Sequence, residues 1–270
     1  MDLYSARMGG SDAIEAALSH NLDNDLDSVL DFCQGNLKGL VAIYVERFHY
    51  EKAKTVLRAV NKGASDGLIS DQILPEENPK NSIWLHIVRT TETVQEAADA
   101  MAGTPWGRCL AKLEGEPPLQ EMEDSLDRQY FANSLVAARG ADASPQLLRY
   151  LRTEIDHRNI VNQFRAQKQN LSLETRVNLN IPGGRIGEAA LRAATQADSK
   201  EALLDALRRS NAFDDSGFEE AMQESAKRGT FDPLVNLLRN QRLKMLKRFS
   251  HLNPISAFPV IYYIQAKVLE

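Results

Sequence analysis

The chain has 270 residues, of which 43% are hydrophobic and 26% are charged, and its formal net charge at pH 7 is -5. This length allows one large domain or two to three small ones, and the apolar content is sufficient for packed cores. The negative charge argues against a general nucleic-acid-binding protein, although it leaves room for a local basic patch.

The first third of the chain shows helical periodicity on the N-terminal side of a proline-containing loop. Asp12 and Glu15 approximate a capping box at the start of a first helix. The apolar residues of that helix recur every four positions and are predicted to share one face: Ile14, Leu18, Leu22 and Leu26. A second helix is predicted over residues 36–61, and the loop over 67–82 marks the first boundary.

The middle of the chain alternates short and long helical patterns. Thr93 is predicted to cap the short helix VQEAADAM, and the turn GTPWG at 103–107 follows it. A strongly periodic helix is predicted over 119–140. The pair Ser144-Pro145 has the pattern of an N-cap followed by a first-turn proline, which starts a long helix over 145–168.

The last third begins after the turn Pro182-Gly183-Gly184 and continues as helices. Ser199 is predicted to cap KEALLDALRRS, and a further helix is expected over 218–228. Asp232 is predicted to cap the next helix, which Pro254 breaks before the last one begins. The alternating or β-branched runs that are typical of strands are almost missing, so the sequence predicts an all-α protein.

Two separated segments are related by one constant offset. Shifting the numbering by 107 pairs Arg58 with Arg165 and Pro75 with Pro182. A fainter third copy begins at Phe218, where the pattern apolar-Glu-x-x-apolar recurs. Such repetition is typical of stacked or symmetric helical units, so we expect three similar lobes. The expected lobes are residues 1–80, 81–190 and 191–270.

The long helix carries polar side chains that could serve catalysis or structure. Arg152 and Asp156 are four residues apart, and this spacing predicts an ion pair along the surface. Asp156 and His157 are adjacent, and adjacent helical residues point about 100° apart, which argues against an acid–base pair. Asn159 is expected to bond a loop carbonyl or amide of a neighbouring element. A structural role is therefore favoured for this cluster.

The sequence offers no catalytic, cofactor-binding or metal-ligating residue. The turn at 182–185 lacks the lysine and the Ser/Thr of a phosphate-binding P-loop, so a backbone turn with positive φ is predicted instead. The five histidines have no HxxxH or HxxE spacing. Cys33 and Cys109 have neither a partner at metal spacing nor a nucleophile's local signature, and a reducing, cytoplasmic setting fits them. No apolar run approaches the roughly 18 to 20 residues that span a bilayer.

A cluster of cations on one predicted helix is the clearest surface signal. Five cations fall within ten residues, with no acid among them: Arg239, Arg242, Lys244, Lys247 and Arg248. Such a run is usually a solvated helix face. Leucine and phenylalanine residues are interleaved with these cations, so the helix is alternatively a contact for an acidic partner or for anionic head groups.

Several segments together resemble the family of the C subunit of V/A-type ATPases, a central-stalk component that is called the d subunit in the eukaryotic vacuolar enzyme. The most specific are YLRTEIDHRNIVNQFRAQK at 150–168 and NIPGGRI at 180–186, and GTPWG, LDRQYF and NPISAFPVIYYIQAKVLE agree with them. These segments cover most of the chain. The signature residues, to which the resemblance gives a structural role, are Asp156, Asn159, Arg165, Pro182, Gly183 and Gly184.

The resemblance implies three helical lobes in a cone or funnel around a pseudo-threefold axis, with no active site and no cofactor. It implies a non-catalytic adaptor that couples the rotor shaft of a proton- or sodium-translocating V/A-type ATPase to the membrane proteolipid ring. The expected partners are the shaft subunits and the ring, with one copy per complex and no nucleic acid. The expected location is the cytoplasmic face of the membrane, which the protein contacts only through the ring.

The sequence departs from the family pattern in two ways. His49 and Lys52 occupy the first-lobe positions that correspond to Asp156 and Asn159. The family also extends further at both ends, so we expect the chain to be truncated or to be an unusually short member.

Two other functions remain open at this point. A generic helical-repeat scaffold that binds soluble partners is the main alternative, and co-purification with a soluble complex would favour it. The third hypothesis is an α-helical hydrolase that uses Asp156, His157 or a cysteine. It requires these side chains to converge with a nucleophile in one pocket.

Overall fold

The computed structural model describes residues 10–64, 67, 69, 74–140 and 144–269, and every regular element in this part of the chain is a helix. The predicted all-α class is therefore confirmed. The chain divides into two compact units, Met1–Tyr130 with Lys267–Glu270 and Phe131–Ala266. None of the described helices combines the length and the hydropathy that crossing a bilayer requires.

The first unit is built from short helices that follow one long one. Its elements are α1 (Gly10–Phe32), α2 (Gly35–Val45), α3 (Arg47–Asn61), a 3₁₀ helix (Pro79–Asn81), α4 (Ser82–Thr90), α5 (Val94–Ala102), a second 3₁₀ helix (Gly107–Lys112) and the first part of α6 (Leu119–Ala138). The helix predicted over 36–61 is divided at Glu46. Helix α3 packs on α4 and α5, and its Val56 and Leu57 are fully buried.

The predicted apolar face of α1 is only partly correct. Leu26 is buried, but Ile14 and Leu18 are 46% and 57% exposed, while Ala13 and Ala16 are buried in their place. A four-residue spacing advances by about 40° per step around a helix of 3.6 residues per turn, so Ile14 and Leu26 lie about 120° apart. The predicted cap at Asp12 lies outside the residues whose side chains the structure describes.

The second unit surrounds one long helix. After the end of α6 come α7 (Pro145–Lys168), α8 (Leu173–Asn178), α9 (Glu188–Gln196), α10 (Lys200–Arg208), α11 (Phe218–Arg228), α12 (Asp232–Leu252) and α13 (Phe258–Leu269). Helix α7 packs on α10 and α12. Its Phe164 contacts Phe218 of α11, with ring centroids 5.7 Å apart, in a core that also contains Leu203 and Leu234.

The side chains at the helix starts agree with the sequence except at α12. Ser144 and Ser199 accept hydrogen bonds from the amides of Leu147 and Ala202, as N-caps do. Asp232 was expected to be an N-cap, but it is the first residue of α12 and its own amide donates to Thr230 Oγ1 at 3.3 Å. The predicted cap at Asp232 is therefore wrong by one position.

Two pairs of short helices have the same construction in the two units. Helices α4 and α5 have nine residues each, and so have α9 and α10. In both pairs a hydroxyl, from Thr93 or Ser199, caps the second helix through the amide three residues later. Thr93 and Ser199 are 106 residues apart, which is close to the offset of 107 found in the sequence. The division into three lobes, over 1–80, 81–190 and 191–270, stays a prediction.

Candidate functional site

A row of polar side chains on α7 holds the backbone of the segment that follows it. The row consists of Arg152, Asp156, Asn159 and Gln163, spaced by four, three and four residues. Residues with this spacing lie on one face of a helix. All four bond to residues between Arg176 and Ile186, which include the Pro182-Gly183-Gly184 turn.

Asn159 makes two bonds where the sequence analysis expected one. Its Nδ2 donates to the carbonyl of Ile181 at 2.9 Å, and its Oδ1 accepts from the amide of the same residue at 2.8 Å. One turn further along, Gln163 Nε2 donates to the carbonyl of Arg176 at 2.8 Å and to Asn180 Oδ1 at 2.9 Å. Both side chains are buried, so their bonds to Ile181 and to the carbonyl of Arg176 satisfy backbone groups that water does not reach.

Asp156 and Arg152 bind the two sides of the turn. The Asp156 carboxylate accepts from the amide of Arg185 at 2.9 Å and from that of Ile186 at 3.0 Å. The Arg152 guanidinium donates to the carbonyls of Gly183, at 3.1 Å, and Gly184, at 2.7 Å. The predicted surface ion pair between Arg152 and Asp156 is therefore wrong, because each side chain is used by the backbone of the turn.

Burial changes the acidity of Asp156. It raises the pKa of this carboxyl to about 6, although the two amide donors and the nearby guanidinium groups of Arg185 and Arg152 act in the opposite direction. The carboxyl therefore loses its proton near neutral pH, at a higher pH than an exposed aspartate does.

The two glycines of the turn are required for different reasons. Gly183 has φ = +95°, and a Cβ at this position would lie 2.6 Å from Leu135 Cδ1. At Gly184 a Cβ would lie 2.1 Å from Asp156 Oδ1, inside the carboxylate that binds the turn. The positive φ predicted for this turn is confirmed at Gly183, whereas Gly184 is needed for close approach. Pro182 is exposed at the start of the turn.

Arg165 is the one signature residue that the structure does not bring to the turn. It is exposed on α7, and within the described part of the chain no acceptor receives a hydrogen bond from its guanidinium. Its counterpart by the offset of 107 is Arg58, which makes two bonds to Glu123, at 2.6 and 2.8 Å.

The first unit fills the corresponding positions with different chemistry. Lys52, at the place of Asn159, donates to Asp23 Oδ2 at 2.7 Å and to Asn81 Oδ1 at 2.9 Å. Asn81 in turn donates to the carbonyl of Pro75 at 3.0 Å. The position that an amide side chain, Asn159, occupies in the second unit is thus occupied in the first by a lysine within a charged network. His49 stacks on Trp106, with centroids 4.4 Å apart.

His157 faces α12 and not the turn. Its Nδ1 lies 3.0 Å from Arg242 Nη1, so the imidazole accepts and the guanidinium donates. Burial, and then the charge of Arg242, lower the pKa of His157 to about 3. The ring is therefore neutral at pH 7, as its role as an acceptor requires. The sequence analysis missed this pairing, because 85 residues separate the partners.

The five cations predicted as a partner contact have different positions in α12. Arg242 is half-buried against His157. Lys244, Lys247 and Arg248 are exposed, and Arg239 is half-exposed. Leu246 and Phe249 are buried, so the predicted amphipathic character of the helix is observed. The exposed cations remain candidates for the contact, whereas Arg242 stabilises the fold.

The two compact units carry opposite net charges. Phe131–Ala266 contains 19 lysines and arginines against 14 aspartates and glutamates, a net charge of +5. The remaining residues contain 13 against 23, a net charge of -10. The acidic composition of the whole chain therefore conceals a basic second unit.

The described residues contain neither a metal-binding cluster nor an exposed thiol. Within residues 10–64, 74–140 and 144–269, no group of three His, Cys, Asp or Glu side chains is arranged to hold a metal ion. Cys33 and Cys109 are buried, and burial raises the pKa of both thiols. A protonated, buried thiol is a poor nucleophile.

The chain matches the family model described as ATP synthase (C/AC39) subunit over residues 2–270. It is 28% identical to the C subunit of the A-type ATP synthase of Haloquadratum walsbyi, over 100% of this chain and 78% of that protein. It is 27% identical to the protein of the same name from Haloferax volcanii, over 100% and 77% of the two chains. The C subunit of the A-type ATP synthase of Methanococcoides burtonii is 25% identical, over 100% of this chain and 74% of its own length.

Proposed function

The chain belongs to the ATP synthase (C/AC39) subunit family, a family of non-catalytic subunits, and from this membership we propose that it is the central-stalk adaptor of a rotary V/A-type ATPase. In this role it couples the rotor shaft of the catalytic head to the proteolipid ring in the membrane. The adaptor lies at the cytoplasmic face, with one copy per complex, and meets the membrane only through the ring.

The observation that carries the proposal is the way α7 holds the signature turn. An adaptor that transmits torque must keep its shape while its two partners are displaced against each other. Side chains that bond to the backbone of a segment hold it in one conformation, because breaking a bond at a buried group leaves that group without water. Four of the residues predicted as a family signature, Asp156, Asn159, Gly183 and Gly184, take part in this arrangement.

The chemistry of the described residues supports a binding role in place of an enzymatic one. Asp156 binds the turn and His157 faces Arg242, so these two side chains have different neighbours. The hydrolase hypothesis required its side chains to converge in one pocket. The three-lobed cone remains part of the proposal, since lobes arranged around an axis would offer one surface to the shaft and another to the ring.

Affinity purification from membranes of the source organism tests the adaptor role. The tagged chain is expressed there, the membranes are solubilised, and bound proteins are identified by mass spectrometry, with an untagged strain as the control. We expect the shaft subunits and the proteolipid to be recovered together. Recovery of a soluble complex without any ATPase subunit would contradict the proposal and support the scaffold alternative.

A further inference from the structure

A groove on the second unit runs between the first turns of α7 and the second half of α12. Its walls combine cations with apolar side chains. The residues that line it include Gln146, Arg149, Lys244, Met245, Arg248 and Leu252.

The lining residues of α12 form two parallel rows. Met245, Phe249 and Leu252 are spaced by four and three residues and therefore form one apolar stripe. Phe249 is the buried floor of this stripe, whereas Leu252 is 70% exposed at its end. Lys244 and Arg248, four residues apart, form the row beside it.

The cations of the groove are available to a partner. Arg149, on α7, and Lys244 and Arg248, on α12, are exposed, and in the part of the chain that the structure describes none of them forms an ion pair. Asp214 is the acid among the residues that line the groove. The surrounding unit has a net charge of +5, so its electrostatic field also attracts acidic partners.

We propose that this groove binds an acidic amphipathic helix of another protein, which, given the proposed function, is another subunit of the ATPase. An apolar ridge on such a helix would cover Met245 and Leu252, and carboxylates spaced by three or four residues would meet Lys244 and Arg248. A protein helix fits better than a membrane surface, because Asp214 would repel anionic head groups, whereas a helix can place a polar residue opposite it.

Binding of a synthetic peptide to the full chain tests this proposal. The probe is a fluorescent helical peptide of about five turns with glutamates beside a leucine face, and binding is followed by anisotropy. The double variant Lys244→Glu/Arg248→Glu is expected to weaken binding at least about tenfold, since it turns attraction into repulsion at two sites. The matched control is Lys227→Glu/Arg228→Glu on α11, whose exposed cations lie outside the groove, and it should bind like the wild type.

The outcomes distinguish the groove from the adaptor role. The groove proposal would be overturned if the control variant lost as much peptide affinity as the groove variant. It would also be overturned if a peptide with glutamine in place of glutamate bound as tightly as the glutamate peptide. Binding of phosphatidylglycerol vesicles through Lys244 and Arg248 without binding of the peptide would overturn it too. If the chain recovers ATPase subunits in the affinity purification but does not bind the peptide, the adaptor role stands and the groove proposal fails. If it binds the peptide but recovers no ATPase subunit, the groove proposal stands and the adaptor role fails.

Discussion

The side chain of Asn159 completes both hydrogen bonds of one residue, Ile181, with its Nδ2 2.9 Å from the carbonyl oxygen and its Oδ1 2.8 Å from the amide nitrogen. An amide side chain carries a donor and an acceptor on separate atoms, so it can bond both groups at once. Asn159 is 1% exposed, so water cannot replace either bond.

Replacing Asn159 with alanine is expected to destabilise the protein by about 2–6 kcal/mol, because two buried backbone groups lose their partners at about 1–3 kcal/mol each. Urea unfolding followed by circular dichroism measures this loss. The matched control is Asn162→Ala, since Asn162 is half-buried and makes one bond, at 3.2 Å, to the carbonyl of Leu179. A loss at residue 162 as large as that at 159 would contradict the role given to Asn159.

The same change, glycine to alanine, is expected to act in opposite directions at two positions. Gly184→Ala places a methyl group 2.1 Å from Asp156 Oδ1 and should cost at least about 2 kcal/mol as the carboxylate is displaced. Gly39→Ala, within α2 and with nothing within 4 Å of the new Cβ, should stabilise by about 0.5–1 kcal/mol. Thermal unfolding of both variants gives the two signs, and a stable Gly184→Ala protein would show that the turn can move.

Stability should depend on pH through His157. Its pKa is lowered to about 3 in the folded protein, whereas an unfolded histidine titrates near 6.5. The unfolded chain therefore binds the extra proton first, and this group costs about 1.4 kcal/mol of stability for each pH unit below 6.5, until about pH 3. His157→Gln, which keeps an acceptor for Arg242, should remove this slope in unfolding measured from pH 7 to pH 4. An unchanged difference between variant and wild type across that range would disprove the buried neutral imidazole.

Asp156 should contribute the opposite slope. Its pKa is raised to about 6 in the folded protein from an ordinary value of 3.8, so the folded state holds its proton more tightly. The stability associated with that proton is present below about pH 4 and is lost as pH rises through 6. Asparagine does not titrate, so the unfolding free energy of Asp156→Asn, relative to that of the wild type, should rise by up to about 3 kcal/mol between pH 4 and pH 7. Unfolding free energies of the two proteins, compared at each pH, measure this gain, and a constant difference would contradict it.

Reversing the exposed cations of α12 is expected to weaken assembly without unfolding the chain. The triple variant Lys244→Glu/Lys247→Glu/Arg248→Glu should recover at least about tenfold less of the partner subunits in the affinity purification. Arg242→Glu is the contrasting variant, because it removes the donor to buried His157 and should lower thermal stability instead. Undiminished recovery with the triple variant would show that this face is not a contact.

The sequence predicts correctly the elements whose signals are local. Caps at Ser144, Thr93 and Ser199 depend on a side chain and an amide three residues away, so the pattern alone is sufficient. The turn is likewise recognisable from adjacent glycines. The predicted apolar face of α1 is partly wrong because a four-residue spacing drifts around the helix.

The features that the sequence does not predict depend on distance along the chain. Helical spacing pairs Arg152 with Asp156, but the carbonyls of Gly183 and Gly184, more than 30 residues away, bind it instead. Helical spacing predicts which side chains are neighbours on the helix. It cannot predict which of them will form a hydrogen bond with a backbone group that is distant in the sequence. The same limit hides the contact between His157 and Arg242. The spacing of four, three and four residues from Arg152 to Gln163 is the available signal for the polar row.

The bonds of the α7 polar row lie side by side and cross the same gap between the helix and the segment after it. A pull on the turn along the axis of α7 would therefore strain all of them in shear at once, and the attachment would fail only when several bonds ruptured together. A pull that lifted the turn from one end would break these bonds one after another. We therefore expect the segment to resist a pull along the long axis of α7 more strongly than a pull that lifts one of its ends.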